Sequence, residues 1–179
     1  MLARQDRIAE AIEHYQRALK IEPAYVEPHL NWGEALARQG RLAEAIEHFQ
    51  HAVRLKPDYA DARNNLGAAL ARQGRLAEAI EQYEHALRVK PDHADVHNNW
   101  GVALGRQGKL AEAIEHFQQA LRLKPDHAEA HSNWGLALAR QGRLPEAIEH
   151  YQQALRLKPD YADAQSNLRN ALRGLEKQK

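Results

Sequence analysis

"LARQGRLAEAIE" runs from Leu36 to Glu47, and the same twelve letters return unchanged from Leu70 to Glu81, thirty-four residues on. Near copies keep the interval: "LGRQGKLAEAIE" from Leu104, "LARQGRLPEAIE" from Leu138, and a degraded "LARQDRIAEAIE" from Leu2. A fixed period between about 20 and 50 residues marks stacked supersecondary units, each unable to bury its apolar face alone. The units run 26–59, 60–93, 94–127 and 128–161, after a partial repeat over 1–25 and before a capping helix over 162–179. They predict a single array across 1–179.

Each unit reads as two helices. Over 61–73, Leu66, Ala69 and Leu70 recur at helical spacing, and Gly74 then interrupts. Gly40, Gly108 and Gly142 stand at the same place, where a left-handed residue can end a helix. The second helix, over 77–90, carries Ala79, Ile80, Tyr83, Ala86 and Leu87 on one face, and Pro91 stops it. Asp58, Asp92, Asp126 and Asp160 follow the prolines, each with an acid three places on, a spacing that predicts a capping box. Small residues mark close approach: Gly33, Gly67, Gly101 and Gly135 on first helices, Ala45, Ala79, Ala113 and Ala147 on second ones.

A 34-residue helix–turn–helix with Leu66-Gly67, Ala79, Tyr83, Ala86 and Pro91 at these intervals resembles the tetratricopeptide repeat (TPR) family. The resemblance covers essentially the whole chain and implies an all-α solenoid, a right-handed superhelix of about ten helices. One departure stands out. The family favours Trp three residues before its Leu-Gly pair, where this chain has His29, Arg63, His97 and His131. Trp instead replaces the Leu, at Trp32, Trp100 and Trp134, beside the core positions Leu36, Leu104 and Leu138.

The ends differ from the middle. Asp6 replaces the turn glycine, which predicts one continuous helix over Leu2–Ile21. Its face of Ile8, Ile12, Tyr15 and Leu19 lacks the partner helix found elsewhere, making it a candidate surface for homo-oligomer formation. The last helix has Arg169 where glycine packs in the other units and then a polar tail, the signature of a solvating cap.

Composition narrows the function. With no cysteine and no threonine, and with Ser132 and Ser166 the only serines, most routes to covalent catalysis are missing. The reading is non-enzymatic. A formal charge of +1 announces no nucleic-acid surface. No apolar run approaches the roughly 18 residues that span a bilayer, and a cytoplasmic location is the default expectation.

On a wheel turning about 100° per residue, Asp61, Asn65, Ala68 and Arg72 fall opposite the buried Leu66 and Leu70. The resemblance implies that this stripe lines a concave groove. Down the stack it becomes ladders: Asn31, Asn65, Asn99, Asn133 and Asn167, with Asn64 and Asn98 beside them. An amide offers both donor and acceptor and can grip a peptide bond whatever its side chain. At a repeat pitch of roughly 10 Å, one rung serves about three residues of extended chain. The pattern is similar to the asparagine ladder of TPR superhelices attached to O-linked sugar transferases. Glu27, Asp61, Asp95, Glu129 and Asp163 form an acidic rung near the helix starts, and Arg38, Arg72, Arg106 and Arg140 a basic one near the ends. Both signs also complement the helix dipole. A variable rung, Glu34, Ala68, Val102 and Leu136, turns apolar toward the C-terminus.

Eleven histidines invite a metal reading through His93/His97, His127/His131 and His48/His51, which share helical faces. With no thiolate and no fixed third ligand, the reading is solvated or half-packed histidines, with no metal and no cofactor. The expected function is a protein-interaction scaffold binding an extended peptide of mixed charge. Its alternatives are the docking region of a larger enzyme, such as an O-linked sugar transferase, a self-assembly module, or a consensus-like array without an evolved ligand.

Overall fold

The computed structural model describes residues 2–177, with side chains from Ile8 onward. The helices are α1 (Leu2–Ile21), α2 (Val26–Arg38), α3 (Leu42–Leu55), α4 (Ala60–Arg72) and α5 (Leu76–Val89), then α6 (Ala94–Arg106), α7 (Leu110–Leu123), α8 (Ala128–Arg140), α9 (Leu144–Leu157) and α10 (Ala162–Glu176). Among the described residues there is no strand. The chain forms two compact units, one ending at Pro91 and holding α1–α5, the other beginning at Asp92 and holding α6–α10.

Within each hairpin the turn glycine does what its position predicts. Gly40, Gly74, Gly108 and Gly142 have φ of 79°, 85°, 81° and 80°. At Gly74 the chain closes the first helix with paired bonds, Arg75 N–H to Leu70 O at 3.0 Å and Gly74 N–H to Ala71 O at 3.0 Å. That is the Schellman arrangement. A Cβ on Gly74 would touch nothing within 4 Å, so substitution there tests backbone strain alone. Gly74→Ala is expected to cost about 1–2 kcal/mol, read as a lower urea midpoint; an unchanged midpoint would contradict the assignment. Where Asp6 replaces glycine, α1 runs unbroken. Its Ile8, Ile12, Tyr15 and Leu19 are each half-buried.

The helix starts correct one expectation. The capping positions of α4, α6, α8 and α10 are Tyr59, His93, His127 and Tyr161, and none makes a side-chain capping bond. Asp58 and its equivalents lie one residue earlier, in the turn after proline, too early to cap. The first-turn acids act on the helix dipole instead. At the second helices the capping position belongs to Arg41, Arg75, Lys109 and Arg143. Arg41 Nε and Arg75 Nε each donate at 2.7 Å to the glutamate three places on, Glu44 and Glu78. These pairs are exposed, so they fix local geometry more than stability.

The core lies between the helices of each hairpin. Phe49, Tyr83, Phe117 and Tyr151 are almost fully buried, and each ring rests on the glycine of the preceding first helix. A Cβ at Gly33, Gly67, Gly101 or Gly135 would come within 2.5, 2.5, 2.6 and 2.8 Å of that ring. Burial pushes the Tyr151 hydroxyl up to about 12. First helices of successive hairpins touch, α2 with α4, α6 with α8 and α8 with α10, whereas α3 does not meet α5 nor α7 meet α9 among the described residues. Each unit therefore curves with its first helices on the inner side.

Candidate functional site

Residues of the amide, basic and variable rungs line hollows between first helices. In the first unit, α2 and α4 enclose a hollow of ≈ 200 Å³ lined by Glu34, Arg38, Asn65, Ala68 and Arg72, with the Phe49 ring at its floor. In the second unit, α6 and α8 enclose the equivalent hollow, ≈ 70 Å³, lined by Val102, Arg106, Asn133, Leu136 and Arg140, with Phe117 behind it. The variable rung thus gives one hollow a carboxylate and a methyl, the other two branched aliphatic side chains. Gly105 also lines the second hollow. Ala37, Ala71 and Ala139 occupy its place in the other repeats.

The amides are oriented by neighbours from the previous repeat. Asn65 Nδ2 donates to Glu34 Oε1 at 2.9 Å, and Asn133 Nδ2 donates to Asn98 Oδ1 at 3.0 Å. Asn98 is buried and donates in turn to Asn99 Oδ1 at 3.3 Å. Each of these bonds uses one of the four hydrogen-bonding positions of an amide and fixes which way it faces. Asn31 is exposed on α2, Asn64 and Asn167 are half-buried, and Asn64 and Asn99 also engage neighbours.

Arginines are anchored in the same way. Arg72 Nη1 donates to Ala37 O at 3.0 Å and Arg140 Nη1 to Gly105 O at 3.2 Å, each closing a carbonyl at the end of the preceding first helix. Arg38 lies 3.9 Å from Glu34, and Arg106 engages neighbours within its surroundings. Of the acids, Asp95 and Glu129 share the buried His127, whose Nε2 lies 3.1 Å from Asp95 Oδ1 and whose Nδ1 lies 3.3 Å from Glu129 Oε2. Neither approach is aligned as a hydrogen bond. Lys158 Nζ adds a third partner, 3.4 Å from Glu129 Oε1. Against burial, which would raise it, a backbone hydrogen bond, Lys158 and His127 hold the Glu129 carboxyl below its usual value. Asp61 has partners of its own, and Glu27 and Asp163 are exposed.

These cross-repeat contacts span 31 to 35 residues and are invisible on a single helical wheel. Lys158, 29 residues from Glu129, was missed for the same reason, and His127 was weighed as a metal ligand rather than as a partner of Asp95 and Glu129. The histidines also pair differently from helical spacing. His29 Nδ1 lies 3.1 Å from His48 Nδ1, and His97–His116 and His131–His150 repeat the contact at 3.2 Å, each joining the two helices of one hairpin. Trp32, Trp100 and Trp134 lie over His48, His116 and His150, with ring centroids 4.1, 4.3 and 4.0 Å apart. Expected in the core, these indoles are half-buried. The Nε1–H of Trp100 and of Trp134 is buried without an acceptor, so packing of the ring face is what seats them. A signal was present: the three residues change together, to Arg63, Gln82 and Leu66, in the one hairpin lacking the histidines. Among the described residues no three metal-ligating side chains converge.

Family models of the tetratricopeptide repeat match residues 25–92 and 98–162, and a TPR repeat model matches residues 1–40. The chain belongs to the tetratricopeptide repeat family. Its fold class is that of the TPR solenoids. It is similar to TTC0263, a thermophilic TPR protein in Thermus thermophilus, at 28% identity and a TM-score of 0.79, over 96% of this chain and 93% of that one. A crystal structure of MamA matches at 27% identity and a TM-score of 0.74, over 89% of this chain and 94% of that one. The first TPR of Spaghetti (RPAP3), bound to the HSP90 peptide SRMEEVD, matches at 27% identity and a TM-score of 0.63, over 65% and 93%. No curated protein matches the chain in sequence. No helix among the described residues is long and apolar enough to cross a membrane.

Proposed function

We propose that this TPR chain is a non-enzymatic interaction scaffold whose first helices hold an extended peptide segment of a protein partner. The pair of equivalent hollows carries the reading. Each sets a fixed amide, Asn65 or Asn133, between arginines and a changing third residue. The amides contact the peptide backbone, which presents a donor and an acceptor whatever its sequence. Arg38 and Arg72 in one hollow, and Arg106 and Arg140 in the other, meet acidic side chains. Glu34 favours a basic neighbour in the first unit, and Val102 with Leu136 an apolar one in the second. The Spaghetti repeat with its bound peptide supports the class of ligand.

An array of peptides with mixed charge, each about six residues long so as to span roughly two rungs of one unit, tests this. Bound sequences are expected to combine an acidic residue with an apolar one, and Asn65→Ala or Asn133→Ala each to weaken binding to its own unit about 2–10-fold, roughly one net hydrogen bond. Binding unchanged by both substitutions would remove the amides from the site.

A further inference from the structure

We infer that the three histidine pairs, His29–His48, His97–His116 and His131–His150, are acid-operated latches between the two helices of their hairpins, and that the hairpin over 60–93 is built without one. The geometry is the same three times. Two imidazoles from different helices meet through their Nδ1 atoms at 3.1–3.2 Å, and tryptophan covers one of them. Such a bond requires one Nδ1 to carry hydrogen and the other to present a lone pair.

A first proton can be taken at an outer Nε2 without disturbing that bond, and the indole face attracts the resulting cation. A second proton cannot. With both rings charged, both Nδ1 atoms carry hydrogen, the bond becomes an N–H against an N–H, and two positive charges face each other across the interface. The remaining hairpin supplies the internal comparison. Arg63 Nη1 donates to Gln82 Oε1 at 3.2 Å between the same two helix positions, and Leu66 replaces the tryptophan. That pair joins the helices without a group that titrates near neutrality.

The surroundings oppose charge at the pairs. At the first, His51 and Arg54 of α3 press against protonation and Glu44 favours it. At the third, His127 before α8 and Arg156 of α9 oppose it, while Glu146 and the Pro125 carbonyl favour it. At the middle pair His97 opposes charge on His116, and the register sets Glu112 and Arg122 at the places of Glu44 and Arg54. Burial is the largest influence throughout: it lowers His29 and His131, and with the neighbouring ring brings His48, His116 and His150 to about 4. Since the unfolded chain takes protons near 6.5, it binds more of them than the folded chain below that pH. Stability is full above about pH 6.5 and falls progressively toward pH 4, where the loss is complete.

The test compares melting temperatures of the full chain at about pH 7.5 and about pH 5.0, on either side of the unfolded-state titration. The wild type is expected to lose about 10 °C. A six-fold variant carrying the Arg63–Gln82 arrangement in all three hairpins (His29→Arg, His48→Gln, His97→Arg, His116→Gln, His131→Arg, His150→Gln) is expected to lose less than about a third of that. Equal losses in both proteins overturn the inference. Ring-nitrogen NMR on the wild type gives a readout independent of how the variant folds. Each pair is expected to take at most one proton as bulk imidazole titrates, and to charge both rings only as the tryptophan stacking is lost. Full charging near pH 6.5, the ordinary imidazole value, in an intact fold overturns the latch.

Discussion

Phe117→Ala is expected to lower the unfolding free energy by about 3–5 kcal/mol, the range for truncating a buried aromatic ring. Phe117 is 2% exposed, and its ring edge lies against the backbone of α6 at Gly101, where no side chain intervenes. Both helices approach each other across that ring. Truncation removes the ring that backs the hollow between α6 and α8, and Val102, Leu110 and Leu136 around it refill only part of the space. Partial collapse of these side chains keeps the loss within that range. Urea titration of the full chain reads it directly, and a loss below about 1 kcal/mol would mean the ring is not the keystone of its hairpin.

How much of this was legible beforehand follows from the range of each interaction. Gly67, Tyr83 and Pro91 announced the hairpin because their spacing is local and recurs in every unit. Asp6 announced the unbroken first helix for the same reason. The angle from Leu66 set Asn65 opposite the buried stripe and the family resemblance implied a groove there, but its bond to Glu34 could not be read, since that contact joins residues 31 positions apart in successive repeats. The capping expectation failed by a single residue. Pro57 and Asp58 form the turn itself, leaving Tyr59 at the cap, and composition alone does not locate a boundary that finely. The histidine pairs lay between these cases. Their members are 19 residues apart in every instance, so no helical wheel shows them, yet the joint switch to Arg63, Gln82 and Leu66 encoded the contact in one chain.

Gly101→Leu tests the same interface from the opposite side and is expected to cost about 3 kcal/mol, at the upper end for overpacking. A Cβ there would lie 2.6 Å from Phe117 Cε1, 2.9 Å from Cδ1 and 3.0 Å from the Ala113 carbonyl. The ring can tilt away, but the carbonyl belongs to α7 and moves only with the helix. Better helix propensity than glycine returns somewhat under about 1 kcal/mol, too little to offset the clash. The decisive measurement is the double variant. With Phe117 reduced to alanine, the space the ring held becomes available to the leucine, which refills the cavity that Phe117→Ala opens. The pair is therefore expected to be about 2 kcal/mol less destabilised than the two single losses added together. Strict additivity would show that Gly101 and Phe117 do not share one packing site, and would detach the helix spacing of the hairpin from this contact.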